Sequence, residues 1–167
     1  MKKTVLLIFA ALFGILLLGC GKDSTEFVEP ANFYYLQHEI SYNSSSGVIC
    51  PEVVDVAEYG ADPMKILNAY LIGPKSQDLI SPIPTGVRIQ SCSIQGQEAL
   101  LTLSREFSVL SGVKLSSACS CIALTLGEFA DIETVHFQID EELLDGKEQI
   151  TIVISDIILL DDALQKG

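Results

Sequence analysis

"NAYLIGPKSQDLISPIPTG", Asn68 to Gly86, interrupts the chain twice in quick succession. An apolar helical run stops at Gly73-Pro74, and Pro82, Pro84 and Gly86 turn the chain again before two extended segments. Glycine accepts the positive φ that closes a helix, and proline cannot continue one. Just upstream, "GADPMK" supplies the matching start. Asp62 is a side-chain acceptor for the first free N–H groups, and Pro63 suits the first helical position. Met64, Leu67 and Leu71 recur at helical spacing and are expected to form the buried stripe. The stretch holds no nucleophile motif, metal-ligand pair or phosphate loop. Its prolines and glycines read as a helix stop and a hairpin entry, more readily than as a ligand-binding turn.

Outward from this punctuation the elements alternate. On the N-terminal side, "NFYYLQ" reads as an aromatic-rich strand and "SYNSSSG" as a polar loop. "VICPEVVDVAEY" then reads as a second extended piece, with Pro51 favouring a sheet edge or bulge. On the C-terminal side, "VRIQSCSI" and "EALLTLS" form a hairpin across Gln95-Gly96-Gln97, with Ala99, Leu101 and Leu103 sharing one face. "VKLSSACSCIALTLGEF" predicts a second helix with Leu115, Cys119, Ile122 and Leu126 on one stripe and Cys121 off it. "IETVHFQID" points Val135, Phe137 and Ile139 inward, and His136 and Gln138 outward. A turn at Asp145-Gly146 leads into "QITIVISDIILL", a long last strand. The order is β-β-α-β-β-α-β-β, which predicts an α+β fold with two helices packed on a mixed β-sheet.

The N-terminus predicts an exported, anchored protein. "MKK" precedes an apolar run from Val5 to Leu18, shorter than the roughly 20 residues of a spanning helix. The run ends in "LLGC", which resembles the bacterial lipobox, so Cys20 is the expected lipidation site and residues 1–19 the signal peptide. Residues 20–31 form a lipid-anchored tether, whose eleven residues after Cys20 reach about 35–40 Å at most. Without residues 1–19 the chain has 148 residues (167 − 19) and, losing Lys2 and Lys3, a formal charge of −14 in place of −12. Nucleic-acid binding needs clustered Lys and Arg, so the acidic balance argues against it. It also argues against electrostatic adhesion to anionic lipids, which leaves the lipid on Cys20 as the membrane anchor.

Little chemistry is legible. Cys50, Cys92, Cys119 and Cys121 lack C-x-x-C spacing and a nearby histidine; core packing is the favoured reading and one tertiary disulfide the alternative. His38 and His136 stand far apart in sequence, and no nucleophile-elbow, phosphate-loop or dinucleotide motif is present. Asp140, Glu141, Glu142 and Asp145 lack the calcium-loop pattern. No catalytic residue, metal or cofactor is assigned.

Together, the helix ending "YLIGP", the turn "IPTG", the hairpin ending "LTLS", the run into "LTLGEF" and the strand "VHFQID" resemble the GerMN domain, over about residues 32–140. That is a sporulation and spore-germination module of lipoproteins and envelope proteins. The resemblance implies a non-catalytic domain similar in fold to ring-building modules of envelope assemblies. The chain departs from the family where the usual Asp-Gly is Asp140-Glu141, with Asp145-Gly146 following later. Residues 141–167 are expected as a C-terminal turn and strand extension of the same domain. The functional expectation is a membrane-anchored interaction or assembly module with an envelope or sporulation protein as partner. Phe33, Tyr34 and Tyr35 are its candidate contact residues, although a core role for these aromatics fits the pattern equally. The alternative is a binding lipoprotein for a wall glycan, peptide or germinant, ahead of a hydrolase with an unrecognised site.

Overall fold

A computed structural model describes residues 30–38, 48–139, 149–157 and 159. Cys20, the tether as far as residue 29, the polar loop and Asp145-Gly146 lie outside these residues. The elements are β1 (Ala31–Gln37), β2 (Ile49–Val54), α1 (Pro63–Tyr70), β3 (Leu79–Ile80), β4 (Ile89–Gln95), β5 (Glu98–Leu103), α2 (Gly112–Gly127), β6 (Thr134–Ile139) and β7 (Ile150–Val153). Two short 3-10 helices, Arg105–Val109 and Ile154–Asp156, precede α2 and follow β7.

The opening stretch folds as its residues dictate. The Asp62 carboxylate accepts from the N–H groups of Met64 at 2.9 Å and Lys65 at 3.4 Å, and Pro63 takes the first helical position. The helix closes where Gly73 adopts φ +95° and donates its N–H to the Tyr70 carbonyl at 3.0 Å. The buried stripe is rotated from the one expected. Ile66, Leu67 and Tyr70 are buried, while Met64 and Leu71 flank them half-buried. The β4–β5 connection is a two-residue turn with Gly96 at φ +61°, while Gln97, like every non-glycine described, avoids positive φ. Glycine at the first central position is the type II′ signature of a tight hairpin.

The α+β class is observed, with the strands divided between two sheets where one was expected. The first sheet has the order β2-β1-β3, all antiparallel. The second has the order β4-β5-β6-β7, in which β5 and β6 are parallel and joined through α2. The division has a local cause along β1. Among the described residues, the two-residue strand β3 pairs only with Leu36 and Gln37. Farther back, the Tyr34 N–H donates to Thr125 Oγ1 of α2 at 3.0 Å and the Asn32 N–H to Oε2 of Glu128, the C-cap of α2, at 3.3 Å. The Tyr34 carbonyl accepts from the Tyr70 hydroxyl of α1 at 2.9 Å. Side chains from both helices therefore occupy the β1 edge where a strand of the other sheet would pair.

Helix α2 packs against β1 of one sheet and against β6, β7 and the turn after β7. Ala118, Cys119, Cys121, Ile122, Ala123, Thr125 and Leu126 are all buried, so burial runs well around the helix. Cys121, expected off the buried stripe, is thus as enclosed as Cys119. The second sheet turns Ala99, Leu101, Leu103, Val135 and Phe137 into the same core. The last strand is shorter than its apolar run, because the chain leaves the ladder after Val153 as a 3-10 turn.

Candidate interaction surface

The three aromatic residues of β1 have separate fates. Phe33 and Tyr35 are 3% and 1% exposed and belong to the core, so they are not contact residues in this fold. The reason is strand periodicity: residues 31, 33 and 35 face inward together. Tyr35 stacks on Tyr70 with ring centroids 4.9 Å apart and planes 7° from parallel, and its hydroxyl donates to the Tyr70 carbonyl at 3.1 Å. Phe33 meets Tyr70 and Phe129 edge-on, each at 5.8 Å. Burial raises the hydroxyl pKa of both tyrosines. Tyr34 alone remains on the outer face, half-buried, its hydroxyl donating to Glu128 Oε1 at 2.9 Å.

On the outer face of the first sheet, Tyr34 keeps company with Leu36, Ile49, Pro51 and Val53, by their alternation and register. Ile80 joins them opposite Leu36. Val53, Ile80 and Pro51 are exposed. Apart from Asn32, which sits opposite Val53 and donates to Glu128, this is an apolar face, in contrast to the outer face of the second sheet. There the cross-strand register sets Ser93, Leu100, His136 and Thr151 in one row.

His136 Nδ1 lies 3.0 Å from Thr151 Oγ1, and its Nε2 lies 3.4 Å from Glu98 Oε2. A shallow cavity of about 290 Å³ opens beside them, lined by Ser93, Gln95, Glu98, His136 and Gln149 among others. The hydroxyl–imidazole–carboxylate line was not legible in the sequence, because its members come from three strands and meet only through register. It has the order of a nucleophile, base and orienting acid. Two features weaken that chemistry. Glu98 is 69% exposed and therefore a poor orienting group, and the row crosses a sheet whose inner strands spend their N–H groups on the ladder rather than on an oxyanion. The row can offer hydrogen bonds to a polar ligand, but its lining includes no aromatic platform.

The thiols are also accounted for. Cys50, Cys92, Cys119 and Cys121 are not joined in disulfides. Burial pushes the Cys119 and Cys121 thiols from their ordinary 9.0 up to about 12, with nearby Cys50 adding to the shift at Cys121. They act as small core side chains. Among the described residues, no group of three His, Cys, Asp or Glu could hold a metal ion, and no helix is long and apolar enough to cross a membrane.

Comparison with known proteins decides the family. The family model described as "Germane: Sporulation and spore germination" matches residues 32–145. The chain belongs to this family. Among solved structures, the first GerMN domain of the sporulation protein GerM from Bacillus subtilis superposes with a TM-score of 0.52 at 14% identity, covering 68% of this chain and 84% of that one. The tandem GerMN domains of the same Bacillus subtilis protein give a TM-score of 0.52 at 21% identity, covering 74% of this chain and 43% of that longer chain. These likenesses establish a GerMN-type fold. No curated protein matches the sequence.

Proposed function

We propose that this chain is a membrane-anchored, non-catalytic lipoprotein whose Germane domain serves as an interaction or assembly module of the cell envelope in sporulation or spore germination. The observation that carries the reading is the placement of a Germane domain, starting at residue 32, shortly after the lipobox-like Leu17–Cys20. Lipid on Cys20 holds the domain at the extracytoplasmic face of the membrane, and the short tether keeps it within a few tens of ångströms of the bilayer. The geometry supports an interaction role over catalysis. The hydroxyl–imidazole–carboxylate line found among the described residues lies on an open sheet face with a solvated acid. The outer face of the first sheet and the rim of the second offer surface for a protein partner.

The test is crosslinking of the protein in intact cells, growing and sporulating, with captured partners identified. Capture of envelope proteins confined to the sporulating or germinating stage is the expected result. Capture of wall fragments alone, equally in both states, overturns it in favour of a glycan-binding lipoprotein.

A further inference from the structure

The two sheets have four edges, and three of them are blunted. On β2, Pro51 lies opposite Tyr34, whose own N–H points away from β2, so the proline removes an outward N–H from the edge. The neighbouring Glu52 carboxylate is tied to the N–H groups of Lys75 and Ser76 at 3.0 and 2.8 Å. β3 is two residues long, and the rest of that side of β1 is occupied by Thr125, Glu128 and Tyr70. β7 has four residues and bends into a 3-10 turn. Short strands, proline and side-chain cover are the usual means of preventing strand addition.

β4 is neither short nor interrupted by proline, although α1 packs against it. It runs seven residues, "IQSCSIQ", without a charge or a proline, and among the described residues it pairs on one side only. Its bulge is confined to the Ile89–Ser91 end, leaving Ser91–Gln95 regular. The two-residue turn makes Gln95 and Glu98 the hydrogen-bonded closing pair, so alternation assigns Ser93 and Ser91 to bonds with β5. The N–H and C=O groups of Cys92 and Ile94 then face outward. Their side chains lie on the core face, where Cys92 is half-buried and Ile94 is 38% exposed.

We propose that β4 is a self-association edge, pairing antiparallel with β4 of a second copy about a two-fold axis through Ser93. This register sets Ser93 opposite Ser93 and makes Cys92 and Ile94 of the two copies a hydrogen-bonded pair, in agreement with the outward groups. It also matches like with like. Cys92 meets Ile94 on the core face, and Ser91 meets Gln95 on the polar face, so one added strand covers the Ile94 side chain and satisfies the open backbone. The chain's net charge of −12 opposes association in general, but the edge itself is uncharged. The antiparallel arrangement further carries the exposed Arg88 of each copy toward the hairpin end of the other. There Gln97 gathers Asp131 and Glu133 at 3.5 and 2.8 Å, beside Glu98. The two four-stranded sheets become one eight-stranded sheet, and a closed pair results rather than an open chain of copies.

The inference deepens the assembly reading and rests on it for its purpose, but its test is separate from partner capture. In detergent-solubilised full-length chain, Ser93→Cys is compared with Gln95→Cys under mild oxidation on non-reducing gels. Opposed residues of a non-hydrogen-bonded pair lie about 4.5 Å apart, within disulfide reach. The two Gln95 positions lie four residues out of register, about 13 Å apart. Ser93→Cys is expected to trap a covalent dimer and Gln95→Cys is not, whereas mixed Ser91→Cys and Gln95→Cys copies crosslink to each other. Ile94→Lys, at a part-exposed site, is expected to lose the sedimenting dimer while keeping its circular dichroism. Equal crosslinking of Ser93→Cys and Gln95→Cys, or none at Ser93→Cys, overturns the proposal. Either result leaves the capture of other envelope proteins standing as an independent question.

Discussion

Thr125 is a buried polar residue in an apolar helix, and its value lies in what it accepts. Its hydroxyl takes the N–H of Tyr34, on the stretch of β1 that no strand covers. Thr125→Val keeps the shape and removes the acceptor. A fully buried donor left without its acceptor costs about 1–3 kcal/mol, and this half-buried site is expected toward the lower end of that range. Urea unfolding should therefore show Thr125→Val destabilised by that amount and Thr125→Ser much closer to the parent. Equal stability of the Val variant and the parent would remove Thr125 from the account of why the sheets stay separate. Nothing in the sequence distinguished this threonine, because its partner is a backbone group ninety-one positions away.

At the scale of elements, α2 and the tyrosine pair make the core sensitive to alkali. Cys119 and Cys121 are held neutral in the fold, with pKa values near 12 against an ordinary 9.0, and burial also raises the hydroxyls of Tyr35 and Tyr70. When the folded pKa is the higher, the unfolded chain ionises first as pH rises. The contribution is then fully present below about 9 and is lost as pH climbs toward 12. Urea midpoints measured from pH 7 to 11 should be flat at first and then fall, with Cys119→Ala/Cys121→Ala reducing the slope above pH 9. Native Cys119 and Cys121 should also resist alkylation at pH 8, and prompt labelling without unfolding would contradict their burial. The elements themselves were legible to different degrees. Asp62-Pro63, Gly73-Pro74 and Gly96 announce their boundaries through backbone chemistry confined to a few residues, and those boundaries stand. The inward set of β6 was equally clear from alternation. The short strand β3, the 3-10 helix Arg105–Val109 and the split into two sheets carry no such local mark, since they follow from what packs on what. Phe33, Tyr34 and Tyr35 illustrate the same limit: three adjacent aromatics look alike in sequence, and only the inward phase of β1 separates two core rings from one surface ring. The Thr151–His136–Glu98 row likewise exists only through register.

For the whole molecule, charge and anchoring must be considered together. A chain of formal charge −12 gains nothing from an anionic bilayer surface, so a stable membrane position has to come from apolar burial. Each buried CH₂ of an acyl chain contributes about 0.8 kcal/mol, and one chain holds only marginally, so the diacylglyceryl group proposed on Cys20 would be the smallest modification to retain the domain. This anchoring is insensitive to ionic strength, unlike adhesion through basic residues, whose contribution falls with screening. Two results follow for the proposed lipoprotein. Washing membranes in high salt should leave the chain in the pellet. Metabolic labelling with an alkyne fatty acid should mark the wild-type chain and fail on Cys20→Ala, whose folded domain, judged by its unfolding midpoint, should be unchanged. Label retained on Cys20→Ala would move the lipid elsewhere, and release of the parent by salt would replace the lipid anchor with a charged partner. Either outcome would also change the geometry available to β4, because the position of the anchor sets how two copies confined to one membrane plane present their edges, and confinement raises the local concentration at which those edges meet.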